Sequence, residues 1–289
     1  MALPPLDRLI VPALLLLPAL LIALLLSQTA SAQQGRSFSG CPISSANSAC
    51  FQAGEELQYE VSYLGIGLGT ISTRVNAVQT GAGERRISAE CLIRTYKGVP
   101  FVTLNTLFQT VMGDSLESLR FRNREYLAGE KVFKEILYTF PKNLDRVYIS
   151  EEVERHPEWA KQDTLELEGK RWQDGLSLFY YARAFSHDRR RCKVPVLMYR
   201  TKATTEIHFG VKEEEEDIDA VEYDIRCTKL EGETGFTGIF GLTGGFEGWF
   251  SDDEAAIPIR AKMHVLIGSI NIELVKWKRK GWKPPRAED

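Results

Sequence analysis

Ile257-Pro258-Ile259-Arg260-Ala261-Lys262-Met263-His264-Val265-Leu266-Ile267-Gly268-Ser269-Ile270-Asn271-Ile272-Glu273-Leu274 is the stretch from which the fold is legible. Its odd positions from Ile257 to Ile267 are apolar, while most even positions are polar or charged. A period of two marks a strand that buries one face. Gly268-Ser269 supplies a tight turn, and Ile270, Ile272 and Leu274 then alternate against Asn271 and Glu273. The reading is a β-hairpin seated on an apolar layer.

Working outward, the same alternation recurs at Leu57, Tyr59, Val61 and Tyr63, at Ile71, Thr73, Val75 and Ala77, and at Ile87, Ala89, Cys91 and Ile93. Short glycine turns join these three into a meander. Further strands are expected over 118–126, 131–140, 146–152, 194–199, 204–211 and 218–228. Residues 100–113 fit either a strand or a helical face and are read as a short helix or irregular lid. Residues 156–172 are read as a long polar connection. The acidic run 213–217 is read as a solvated hairpin tip rather than a calcium loop, because it lacks staggered ligands and a glycine. One helix, 174–187, carries Leu176, Phe179, Tyr180, Arg183 and Ala184 at helical spacing, with Asp174 as its cap. The fold class is therefore mainly β: a large antiparallel sheet curled into an open or closed barrel, with one main helix packed on it.

Residues 9–26 are almost wholly apolar and lead to Ala30-Ser31-Ala32, the small-residue pattern of a signal peptidase site. The expected organisation is a signal peptide over 1–32, a polar leader over 33–53, a single β-rich domain over 54–280 and a polar tail over 281–289. Removal of the signal peptide is expected to leave no stable transmembrane span, and the product is expected in the periplasm or at the outer membrane. Phe38-Ser39-Gly40-Cys41 ends like a lipoprotein attachment site, but it lies far beyond the apolar run. A net charge of −3 with no concentrated basic face argues against nucleic acid.

An exported chain meets an oxidising compartment, and this one holds five cysteines, an odd number. A local disulfide between Cys41 and Cys50 is expected. Cys91 and Cys227 share parity with apolar strand faces and fit buried thiols as well as a bridge. No C-x-x-C pair and no histidine pairing appears, so neither a metal site nor a cofactor is expected. Residues 232–248 are rich in glycine and interleaved with Phe236, Phe240 and Phe246, but they match no nucleotide loop. They are read as a flap or a long turn. Asp252, Asp253 and Glu254 are the sole candidates for carboxylate catalysis, yet adjacent strand residues point to opposite faces. No catalytic residue is assigned.

Three blocks resemble a family. Gly54-Glu55-Glu56-Leu57-x-Tyr59-x-Val61-Ser62-Tyr63, Asp174-Gly175-Leu176-Ser177-x-Phe179-Tyr180-Tyr181-x-Arg183 and Trp249-Phe250-Ser251-Asp252-Asp253 are similar to an uncharacterised bacterial family of exported domains of unknown function. The resemblance covers about 54–278 and implies a Gram-negative envelope protein without assigned catalytic residues. The resulting expectation is a non-enzymatic envelope protein that holds an apolar small molecule or lipid in its barrel, lined by Tyr59, Tyr63, Phe179, Phe246 and Trp249. The alternative is an assembly factor or scaffold that binds an envelope protein, with a glycan-acting enzyme as a third reading.

Overall fold

The computed structural model describes residues 50–81, 84–99, 103–129, 131–143, 145–235, 244–265 and 268–287. The expected signal peptide, Cys41, most of the polar leader and residues 236–243 of the glycine-aromatic segment lie outside them.

The described residues build one 14-stranded antiparallel sheet. Its first meander is β1 (Glu56–Tyr63), β2 (Ile66–Gly81), β3 (Glu84–Thr95), β4 (Asn105–Met112), β5 (Ser118–Leu127), β6 (Val132–Thr139), β7 (Arg146–Val153) and β8 (Lys161–Glu166), each paired with the next. Its second is β9 (Arg191–Met198), β10 (Thr201–Glu216), β11 (Ile225–Thr234), β12 (Gly244–Ser251), β13 (Pro258–His264) and β14 (Ser269–Lys278). Pairing of β1 with β14 fuses the two meanders, which leaves β8 and β9 as the outer edges. The helix α1 (Ser177–Ala184) lies in the chain between those edges.

Alternating burial makes the strands. In β1 Leu57, Tyr59 and Val61 are buried while Glu56, Gln58 and Glu60 are only half-buried. Side chains from β2 through β7 and from β9 through β12 enter one apolar cluster with Leu176, Tyr180, Tyr181 and Ala184 of the helix region. A single helix can meet strands so far apart in the order only if the sheet curls around it. Register shifts at Val75/Ala77 in β2 and His208/Lys212 in β10 supply bends. Gly210, with φ +56° inside the β10 irregularity, passes so close that a Cβ there would lie 2.9 Å from the Asp188 carbonyl oxygen. Only glycine fits without displacing that backbone.

No strand ladder joins β8 to β9, but side chains span the gap. Arg200, in the β9–β10 turn, pairs with Glu151 of β7 at 3.2 Å and Asp163 of β8 at 3.5 Å, and Lys202 reaches Glu168 at 2.8 Å. The segment before α1 adds backbone to the seam: Gln173 donates to the Pro195 carbonyl and accepts from Leu197 on β9, while the Trp172 carbonyl accepts from Ser118 on β5.

Four expectations change. Residues 105–112 form strand β4, whose buried positions Thr106, Phe108, Thr110 and Met112 alternate strictly. The long polar connection contains a 3-10 turn, Pro157–Trp159, and the exposed edge strand β8. Glu213 to Glu216 lie inside β10, paired with residues 225–228 of β11, so the hairpin turn falls later, over 217–224, and the strand expected over 218–228 begins only at Ile225. The helix is shorter than the expected 174–187, running only over Ser177–Ala184, while Asp174 does cap its start by accepting the N–H groups of Leu176 and Ser177.

Candidate functional site

The five residues expected to line a cavity do not meet. Tyr59 and Trp249 are buried in one cluster with Ile257, Ile259 and Leu274, whereas Phe179 and Phe246 border the helix-centred cluster and Tyr63 borders a third with Val61 and Ile270. Trp249 donates its indole N–H to Glu214, and the ammonium groups of Lys229 and Lys262 lie 5.2 and 5.0 Å from its ring. Phe179 stands edge-on to Tyr180 at 5.4 Å. The Tyr59 hydroxyl is buried without a hydrogen-bond partner, and burial pushes its pKa well up. Inside the curled sheet the space is taken by Tyr180 and Tyr181 of the helix with Phe185 just after it, and by Phe209 of β10 and the tilted ring series Phe108, Phe121 and Tyr138 from the sheet.

What does converge is a set of polar groups from the three sequence blocks. Arg183, on the buried stripe of α1, is 1% exposed and clasps Glu55 with two hydrogen bonds of 2.5 and 2.9 Å. It also donates to the carbonyls of Ala255, Ala256 and Cys50. Arg279, just beyond β14, adds contacts to the same Glu55 and to the Cys50 carbonyl. Burial alone would depress the guanidinium, but the hydrogen bonds and charge of Glu55 outweigh it and hold Arg183 above its ordinary value. Charge buried this completely is tolerable only when paired and fully hydrogen-bonded.

Asp174 forms a second hub, with no exposed surface. One carboxylate oxygen accepts the backbone N–H groups of Leu176 and Ser177 at 2.7 and 2.8 Å, and Ser177 accepts the Asp174 N–H through its hydroxyl. The other oxygen accepts the hydroxyls of Thr110 on β4 and Ser118 on β5. Burial raises its pKa, and those donors pull against the rise. The aspartate both starts the helix and pins it to two strands.

The closing block builds the third hub. Asp253 accepts the Ser251 hydroxyl and the N–H groups of Ala255 and Ala256 on one oxygen, and the Trp282 indole on the other. That turn aims the two alanine carbonyls at Arg183. Asp252 instead faces Thr228, Arg226 and His187. The neighbouring carboxylates therefore serve different partners and do not address one bond. Among the described residues no group of three or more His, Cys, Asp or Glu is placed to hold a metal ion.

Cys50 is a free, buried thiol, so the local bridge expected between Cys41 and Cys50 is not formed. Its side chain packs into the helix-centred core and its carbonyl is spent on the two arginines. Cys91 and Cys227 are likewise free and buried, while Cys192 is disulfide-bonded.

The surface offers clefts of mixed polar and apolar lining. One of about 270 Å³ lies between the β2–β3, β4–β5 and β6–β7 connections, lined by Arg85, Lys142, Arg171, Glu117 and Trp172. Others beside β1 and β14 are lined by Trp277 and Lys278. Apolar exposure is concentrated elsewhere, at the tip of the β1–β2 hairpin, where Leu64 and Ile66 are each 67% exposed.

Sequence spacing missed the polar hubs because their members lie far apart in the chain. Arg183 did carry a signal: it stands at helical spacing with Leu176, Phe179 and Tyr180, and a cation on an apolar stripe needs a buried partner.

Residues 58–275 match the model of a family described as protein of unknown function (DUF3108). No curated protein matches the chain. Among solved structures, a β-barrel-like protein of domain of unknown function DUF1849 from Brucella abortus aligns with a TM-score of 0.51 at 12% identity, covering 78% of this chain and 97% of that one. A protein from Bacteroides fragilis, described as exported with a YmcC-like fold, aligns at a TM-score of 0.37 and 12% identity over 79% of this chain and 97% of its own. A protein from Parabacteroides distasonis, described as a lipoprotein, gives 0.35 and 11% over 78% and 96%. The first likeness supports the β-barrel-like fold and carries no activity with it.

Proposed function

The chain belongs to the DUF3108 family, and on that premise we propose that it is an exported, non-enzymatic protein of the cell envelope that works through its outer surface as a scaffold. The observation that carries this reading is the filled interior. The helix and its aromatic neighbours occupy the space in which an apolar ligand would sit, and Arg183 is already satisfied by Glu55 and backbone carbonyls. A carrier needs a hollow with lining groups left unused, as cavities that hold drug-sized ligands run to several hundred Å³ and are mostly apolar. Export itself rests on the apolar run over 9–26 and the Ala-Ser-Ala exit.

Organic extraction of protein purified from its native envelope, followed by mass spectrometry, tests the reading. A scaffold releases no lipid in stoichiometric amount, and a fluorescent fatty acid added to it is not sequestered. Recovery of one lipid per chain would return the carrier reading. Sequencing of the mature N-terminus tests export, with a first residue of Gln33 expected.

A further inference from the structure

The β1–β2 hairpin is built against its own stability. Leu64 and Gly65 form its turn with φ of +49° and +79°. Two-residue hairpin turns of that hand favour Asn-Gly, because a branched or bulky side chain is strained at positive φ. Here an aliphatic residue occupies the strained position and is exposed, with Ile66 beside it equally exposed. Both the turn and solvation would be better served by asparagine. Among the described positive-φ residues Leu64 joins this strain to aliphatic exposure, a combination that suits a contact surface better than a folding element.

Its surroundings define the contact. Tyr96, just past the end of β3 and 44% exposed, lays its ring against Gly67 and donates its hydroxyl to Glu60 at 2.6 Å. The β13–β14 turn lies alongside, close enough that a Cβ on Gly268 would touch Leu64 at 3.5 Å. Tyr63, Leu68 and Val265 are half-buried beneath the tip. Leu64, Ile66 and Tyr96 make up three of the five exposed large apolar side chains among the described residues. Two cations, Arg94 and Lys97, stand on the β3 side of the tip, and the carboxylate beside them, Glu60, accepts the Tyr96 hydroxyl. Projecting aliphatic side chains, tyrosines at their base and cations around them match the depth profile of a bilayer interface: hydrocarbon, headgroup boundary, anionic phosphate.

We propose that this hairpin end seats on an anionic lipid bilayer, with Leu64 and Ile66 inserted and Lys97 and Arg94 at the phosphate level. The proposal rests on the surface-acting reading of the protein and names the surface and its occupant. It is tested by sedimentation of the mature chain with vesicles of phosphatidylcholine alone and of phosphatidylcholine mixed equally with phosphatidylglycerol. Binding to the mixed vesicles is expected, with much weaker binding to the neutral ones. Combining Leu64→Asn with Ile66→Asn lowers vesicle affinity by at least about tenfold while leaving the thermal midpoint unchanged or raised. Lys97→Glu lowers it several-fold, and Ile66→Trp gives an indole whose emission shifts to the blue when mixed vesicles are added. Failure of the parent chain to sediment with mixed vesicles, equal binding by the double variant, or an emission maximum of the Ile66→Trp variant that does not move each overturns the docking. Lipid extraction, which tests the filled interior, is independent of all three outcomes.

Discussion

The two ends of the eight-residue strand β1 solve opposite problems. At the Glu56 end, full charges are sunk among apolar side chains and every one is answered by a partner. At the Tyr63 end, Leu64 and Ile66 stand largely in water on a strained turn, with the β13–β14 turn beside Leu64. The contrast teaches that exposure and burial have been arranged against the hydrophobic effect at both ends, for different reasons. Buried Glu55 and Arg183 tie distant segments into one arrangement, whereas Leu64 and Ile66 leave a surface open for something else.

The sharpest way to break this comparison is Arg183→Met. It leaves Glu55 buried with Arg279 as its remaining cation, and removing one member of a buried ion pair costs roughly 3–5 kcal/mol. Urea denaturation should show a loss of that size, and a loss below about 1 kcal/mol would mean that the cluster is ornamental. Next comes Asp174→Ala, which strands two hydroxyls and two helix N–H groups. About 2–4 kcal/mol is expected from the unmet donors and the lost cap, read in the same titration. At the other end the sign reverses. Leu64→Asn should stabilise the fold by roughly 0.5–1 kcal/mol, seen as a higher thermal midpoint, because asparagine tolerates the left-handed region. Unchanged or lower stability would show that the turn is not strained.

The smallest effect is a null rate. Burial pushes the Cys50 thiol up to about 11 and Cys91 up to about 12, and Cys227 is raised as well. A thiol whose pKa stands this far above its ordinary value stays protonated and unreactive at about pH 8. These three should therefore resist iodoacetamide in the native protein and react promptly in denaturant. Fast native labelling would show that the core around these thiols opens.

Much of the sheet was legible because a half-buried strand writes period two into its sequence, as β1, β13 and β14 do. Strand β4 hid because its buried face carries Thr106 and Thr110, so that Leu104, Leu107 and Phe108 looked like a helical stripe. One of those threonines is there to serve Asp174. Strand β8 hid because an edge strand with both faces wet has no alternation to display, and its Lys161, Gln162 and Asp163 keep other chains from pairing there. The family blocks were visible, but their chemistry was not. Glu55 and Arg183 are 128 positions apart, and nothing in either neighbourhood names the other. The expected quintet of cavity residues failed for a related reason, since aromatic side chains at strand parity read the same whether they line a hollow or fill one.

The cluster around Arg183 also sets a timetable. Glu55 emerges near the beginning of the chain, Arg183 past its middle, the carbonyls of Ala255 and Ala256 later still, and Arg279 almost last. A polypeptide delivered amino end first cannot neutralise its earliest buried acid until most of its length has arrived. Partial products therefore lack the complete ion-pair cluster, which closes only once the residues just beyond β14 are present.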